Sequence, residues 1–167
     1  MTTTLPYRPT FEIIGSFLDR APVNLFAMAQ GLGISVAEKT DWPQSIAGSL
    51  ECRKGGYSIK INGNHSESKK RFTLAHQIAH YALHRDLIGR GIVDDANYKS
   101  SLSDRMESQA NQIATTLLMP GPLICREWAA GARSITAIAA KFDVRPAAAE
   151  IRLKGMGLIS NSSAPAP

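Results

Sequence analysis

His76 and His80, in the stretch RFTLAHQIAHYALH at 71–84, stand four residues apart. On a helix that spacing puts both imidazoles on one face, within reach of a single cation. A zinc site built on two histidines needs a third protein ligand and keeps one position open for water. A glutamate at 77 would complete H-E-x-x-H, the zinc-peptidase signature in which the Glu is the general base. The chain has Gln77 instead. An amide keeps the shape of the carboxylate and can hydrogen-bond a water, yet it has no basic oxygen to hold a proton. Two histidines on an apolar helix are more often hydrogen-bonded core residues than ligands. With 4 histidines in 167 residues the spacing can also arise by chance.

The candidate third ligand is Glu107, in MESQANQIATTLLMP. On a helix Ala110, Asn111, Ala114 and Leu118 share its face, and the two alanines would let a second helix come close, as a ligand contributed from another helix requires. Taken alone, Glu107 reads as an exposed helix glutamate.

The combination is more specific than its parts. The stretches INGN…RFTLAHQIAHYALH, MESQANQIATTLLMP and SITAIAAKFDVRPAAAEIRLKGMGLI, in that order, resemble the ImmA/IrrE metallopeptidases over about Val23 to Ile159. The resemblance implies a zincin-like peptidase domain with zinc held by His76, His80 and Glu107 and a water in the fourth position. It places His84 at the family's third histidine, beside the ligands rather than among them. Asn111 matches the family's Asn, where it would steady Glu107 or the helix pair. Thr73 is expected to be a packing residue.

The resemblance also implies an endopeptidase that cuts a helix-turn-helix (Xre-like) repressor. Such cleavage would relieve repression in a mobile element, a phage-defence system or a stress response. The departure at Gln77 falls on the general base, whose loss typically costs about a hundred- to ten-thousandfold in rate. Zinc is therefore expected to bind while peptidase activity is largely absent. Gln77 fits either a natural loss or a deliberate Glu-to-Gln change, and the intact remaining motif favours the second. A pseudoprotease that binds its partner uncut, or a toxin neutralised by an Xre-like protein, is the alternative.

The elements that must position these residues follow from periodicity. Thr10 reads as the cap of a first helix with Phe11, Ile14 and Leu18 at helical spacing, and PVNLFAMAQGLGI as a second. ISVAEK, SIAGSLECRK and GYSIKIN have strand character, and Gly55-Gly56 predicts a hairpin between the last two. In YSIKINGN, Tyr57, Ile59 and Ile61 alternate with Ser58 and Lys60. As an unpaired edge, this strand would take substrate as an added antiparallel strand along Ser58, Ile59, Lys60, Ile61 and Asn62, with Asn62 anchoring the peptide near the metal. SESKKRFTLAHQIAHYALH predicts a long helix that is apolar around most of its circumference. Residues 86–103 read as a mobile loop, DRMESQANQIATTLLMP as a helix stopped by Pro120, and PLICREWAAG as a short helix.

The expected fold is thus α+β. It is a zincin-like, mostly helical domain with a small three-stranded antiparallel sheet and a C-terminal helix-turn-helix-like pair whose turn is fixed at Val144. Residues 1–8 are expected to be a flexible N-terminus, 9–130 the peptidase domain, 131–160 the helical pair of the same domain, and 161–167 a disordered tail.

Composition bounds the remaining classes. Hydrophobic residues make up 44% and charged residues 20%, as in ordinary globular proteins. No apolar run approaches the roughly 20 residues of a membrane span, and the N-terminus lacks the apolar core of a secretory signal. Cys52 and Cys125 are too few for a disulfide framework and read as reduced, partly buried thiols of a cytoplasmic protein. A net charge of +5 permits contact with nucleic acid without demanding it. The second helix of the C-terminal pair opens with Pro146-Ala147-Ala148-Ala149-Glu150, which offers little to read base edges, although Arg145, Arg152 and Lys154 could touch phosphates. Closing one end of the peptidase domain is the stronger reading of that pair.

Overall fold

The computed structural model describes residues 8–97 and 102–161. The expectations for residues 1–7 and 162–167, a flexible start and a disordered tail, lie outside the described residues. In chain order the elements are α1 (Arg8–Gly15), α2 (Leu25–Gly31), β1 (Ser35–Lys39), β2 (Ile46–Arg53), β3 (Gly56–Asn62), α3 (Glu67–His84), β4 (Gly91–Asp95), α4 (Asp104–Leu118), α5 (Gly121–Ala129), α6 (Ile135–Phe142) and α7 (Pro146–Gly155).

The sheet departs from the three-stranded antiparallel expectation. It has four strands in the order β1-β3-β2-β4 and is mixed: β1 runs parallel to β3, while β2 is antiparallel to both β3 and β4. Two physical reasons account for the difference. Alternation reports which face a strand buries but not the direction of its neighbour, so the parallel β1 pairing left no mark. β4 is only five residues long and lies in the Gly- and Asp-rich stretch read as a mobile loop. The β2–β3 hairpin forms as expected, with Arg53 opposite Gly56 and Gly55 at φ 97°, in the left-handed region that favours glycine.

This topology also corrects the substrate-strand expectation. β3 is bonded on both sides, to β1 through Ser35–Lys39 and to β2 through Gly48–Arg53, so Ser58, Ile59, Lys60, Ile61 and Asn62 present no open edge to a peptide. Ile59 and Ile61 are core residues, and Lys60 Nζ pairs across the strands with Glu51 Oε1 at 3.1 Å. Asn62 is fully buried: its Nδ2 donates to the carbonyls of Pro43 (2.9 Å) and Ile46 (2.8 Å), and its Oδ1 accepts from the Asn64 amide (2.9 Å). It ties the end of β3 to the β1–β2 connection, and these bonds use its side-chain amide. Among the described residues the open edges belong to β1 and β4.

α3 lies across the sheet with every residue from Thr73 to His80 buried. Leu74, Ala75, Ile78 and Ala82 join Leu50, Ile59 and Ile61 of the sheet in one core, which Ala114, Leu117 and Leu118 of α4 and Ile138, Phe142, Ala149 and Leu153 of α6 and α7 complete. The C-terminal pair therefore shares the core rather than standing apart. α6 is capped by Ser134 Oγ, which accepts from the Ala137 amide at 3.1 Å. It ends at Asp143, φ 53°, the left-handed residue of the turn, and Val144 after it packs against the core. Two side chains fasten the pair to the start of α3. Arg71 Nε lies 3.6 Å from Asp143 Oδ2, and Arg145 Nη2 donates to Ser66 Oγ at 3.4 Å. Thr10 sits inside α1 rather than capping it, and its hydroxyl accepts from Arg85 Nη1 at 3.0 Å. Cys52 and Cys125 are both free, and Cys125 is exposed rather than partly buried. Among the described residues no helix is long and apolar enough to cross a membrane.

Candidate metal centre

α3 and α4 cross where both carry small residues. Ala110 and Ala114 of α4 are fully buried, which lets Glu107 reach the histidine face of α3. Glu107 Oε2 lies 3.3 Å from His76 Nε2, its Oε1 3.5 Å from His80 Nε2, and the two Nε2 atoms are 3.0 Å apart. One ligating atom from each of the three residues falls within 4.8 Å of the others.

Each histidine is held differently. His80 Nδ1 is 3.0 Å from His84 Nδ1, and His84 Nε2 is 3.1 Å from Gln109 Oε1. With the Gln109 oxygen accepting, His84 carries its proton on Nε2, and its Nδ1 accepts the proton on His80 Nδ1. That chain leaves the His80 Nε2 lone pair pointing at the cluster, the tautomer a metal ligand needs. Burial, then the neighbouring His76, pushes His80 down to about 4 against the pull of Glu107, so its ring is neutral at ordinary pH. His76 stacks on Phe72 and has no partner for Nδ1 among the described residues.

The residues present fit a divalent cation. A neutral imidazole lone pair, a second imidazole and a carboxylate converge with more acceptors than protons to share among the three. The donor set, two nitrogens and one oxygen, is one that zinc accepts.

Beside the cluster is a pocket of about 190 Å³, lined by the three ligand candidates together with Gln77, Ile92, Asp94, Asp95 and Asp104, among others. Gln77 is fully buried, and neither its Oε1 nor its Nε2 has a hydrogen-bond partner among the described residues. Gly48 on β2 makes room for Thr73, one turn before Gln77: a Cβ there would meet Thr73 Cγ2 at 2.5 Å, while Gln77 Nε2 would lie at an ordinary contact distance of 3.6 Å. Asp94, opposite Gly48 in register, is raised from the usual carboxylate range, first by burial and further by Glu107 and Asp95, while His76 and Lys69 pull it down.

A sequence profile of the Peptidase_M78 family, described as the IrrE N-terminal-like domain, matches residues 29–154. The chain belongs to the ImmA/IrrE family. Among solved structures, a Mycobacterium tuberculosis transcriptional regulator is similar at 17% identity with a TM-score of 0.58, over 87% of this chain and 46% of that one. This chain spans somewhat under half the length of that protein, and the likeness shows a shared fold. No curated protein matches the chain.

Of the site residues expected from sequence, His76, Gln77, His80, His84 and Glu107 come together. Thr73 is buried against Gly48 as a packing residue. Asn111 shares a groove with Glu107 but no bond between their side chains is seen. Its side chain is exposed, makes no hydrogen bond among the described residues, and lines a groove between α4 and α7 with Ser108, Thr115 and Arg152. Sequence reading missed Gln109, Gly48 and the two aspartates of β4. Gln109 lies one turn after Arg105 on a face that sequence alone leaves ambiguous, and β4 went unrecognised as a strand.

Proposed function

We propose that this domain is a zinc-dependent endopeptidase unit of ImmA/IrrE type that acts on a helix-turn-helix (Xre-like) repressor, and that Gln77 leaves it able to bind this partner but slow to cut it. The observation that carries the reading is the convergence of His76, His80 and Glu107 beside a pocket that Gln77 enters. Zinc held there would supply Lewis-acid polarisation of a water and of the scissile carbonyl. The chain's own residues do the rest. The His84–Gln109 chain fixes the tautomer of His80, and Glu107 adds the negative charge that a dication requires. Gln77 can donate to and accept from a water in the pocket but cannot carry its proton to the leaving amine.

The revised place for the substrate is the edge of β4. It is open among the described residues, and its Ile92, Val93, Asp94 and Asp95 line the pocket. A peptide added there would gain main-chain hydrogen bonds while crossing the ligands. Gln77 itself favours a second reading that uses the same site: capture of the repressor without cleavage.

The test is Gln77→Glu. Zinc content should stay at one ion per chain in both forms, and the Glu form should cleave the repressor about a hundred- to ten-thousandfold faster. Equal rates would refute the role given to position 77. Failure of both forms to take up zinc on reconstitution would refute the metal site.

A further inference from the structure

The pocket beside the ligands is acidic on a basic chain. The net charge is +5, yet the wall carries Asp94, Asp95 and Asp104 alongside Glu107, with no lysine or arginine lining it among the described residues. The Asp94 carboxylate has no hydrogen-bond or ion-pair partner among the described residues, and Asp95 uses Oδ1 to accept from the Asn97 amide at 2.9 Å. Lys69 acts on Asp94 without pairing to it; its ammonium lies 3.4 Å from His65 Nε2.

Two further observations make this more than a cluster of carboxylates. Gln77 lines the same pocket fully buried, with both amide atoms unpartnered, an arrangement costly to keep unless a polar group arrives. Secondly, the ligating atoms that converge tightly enough for a metal ion, among the described residues, are those of His76, His80 and Glu107 alone. Asp94 and Asp95 belong to no such group, and their placement suits an extended organic cation.

We propose that this pocket is a subsite for a basic side chain, in which Asp94 and Asp95 receive a lysine or arginine of the substrate next to the bond held at the metal. The proposal rests on the peptidase reading above and narrows its substrate class. β4 contributes both the open edge and the two carboxylates, so one element sets the register of the peptide and selects its side chain. The arginine fork or the lysine ammonium makes charge-assisted hydrogen bonds to the carboxylates, while Gln77 satisfies its amide on the incoming main chain.

The test uses the zinc-loaded chain as it stands, in which Gln77 is expected to keep cutting slow. Fluorescently labelled decapeptides, identical except for arginine, citrulline or glutamate at one central position, are compared by anisotropy. Citrulline keeps the shape of arginine and removes the charge. We expect arginine to be preferred over citrulline by about tenfold, and over glutamate by more. The preference should be lost in Asp94→Asn/Asp95→Asn, with zinc content and melting curve retained. Equal binding of the arginine and citrulline peptides, no binding of any peptide, or a preference that survives the double substitution would overturn the subsite. Failure to hold zinc would instead count against the peptidase reading. The arginine–citrulline comparison on the zinc-free chain would then still decide the subsite, since the protein alone makes it.

Discussion

His84 stands one turn beyond His80 and touches no other ligand candidate, yet it decides which nitrogen of His80 carries the proton. Through its bond to Gln109 Oε1 it orients the ring and leaves Nε2 free. Removing such a partner typically weakens metal affinity by about ten- to a hundredfold without abolishing binding. His84→Ala should therefore raise the zinc dissociation constant by that factor in a competition titration with a chelator, whereas His80→Ala should remove stoichiometric zinc altogether. If His84→Ala holds zinc as tightly as the parent, the tautomer argument fails. At this scale the sequence was largely readable, because helical periodicity is enough to place 76, 80 and 84 on one face. It could not show Gln109, whose role depends on the angle at which α4 crosses α3.

Helix α3 reaches the sheet only because β2 has no side chain at Gly48. A Cβ there would lie 2.5 Å from Thr73 Cγ2 and 3.1 Å from the Lys60 carbonyl oxygen, both too close. Neither neighbour can yield easily, since one is buried on α3 and the other is backbone of a central strand. Gly48→Ala should destabilise the fold by about 1–3 kcal/mol, the usual cost of overpacking a core. It should also push the turn that carries His76 and Gln77 away from Glu107. Denaturant unfolding and zinc affinity would both register the change, and an unaltered midpoint would show that the helix can shift without cost. Nothing in SIAGSLECRK marks this glycine as a contact point, because a strand glycine can equally signal a bulge. The same limit hid β4. Its five residues lie among glycines and aspartates that read as loop, and only pairing with β2 across Leu50–Ile92 and Gly48–Asp94 makes them a strand. Missing β4 hid one open edge of the sheet, while the parallel pairing with β1, equally unmarked in the sequence, is what closes β3.

Across the whole molecule, the question is whether the C-terminal pair is an independent reader of DNA or part of the peptidase unit. Phe142, Ile138 and Leu153 are completely buried, and they belong to the same core as Leu74 and Ile78 of α3. Arg145, the residue best placed in sequence to touch a phosphate early in the second helix, donates to Ser66 at the start of α3. Burial joins the two parts, and the polar ties at Asp143 and Arg145 fix how they meet. Phe142→Ala should therefore cost about 3–5 kcal/mol, the range for deleting a fully buried aromatic ring. The loss should appear in one cooperative transition that unfolds the metal site along with the helices. A detached module would behave differently. Its melting would leave α3 and bound zinc intact, so two transitions in Phe142→Ala, with zinc released only in the second, would divide the chain where this core joins it.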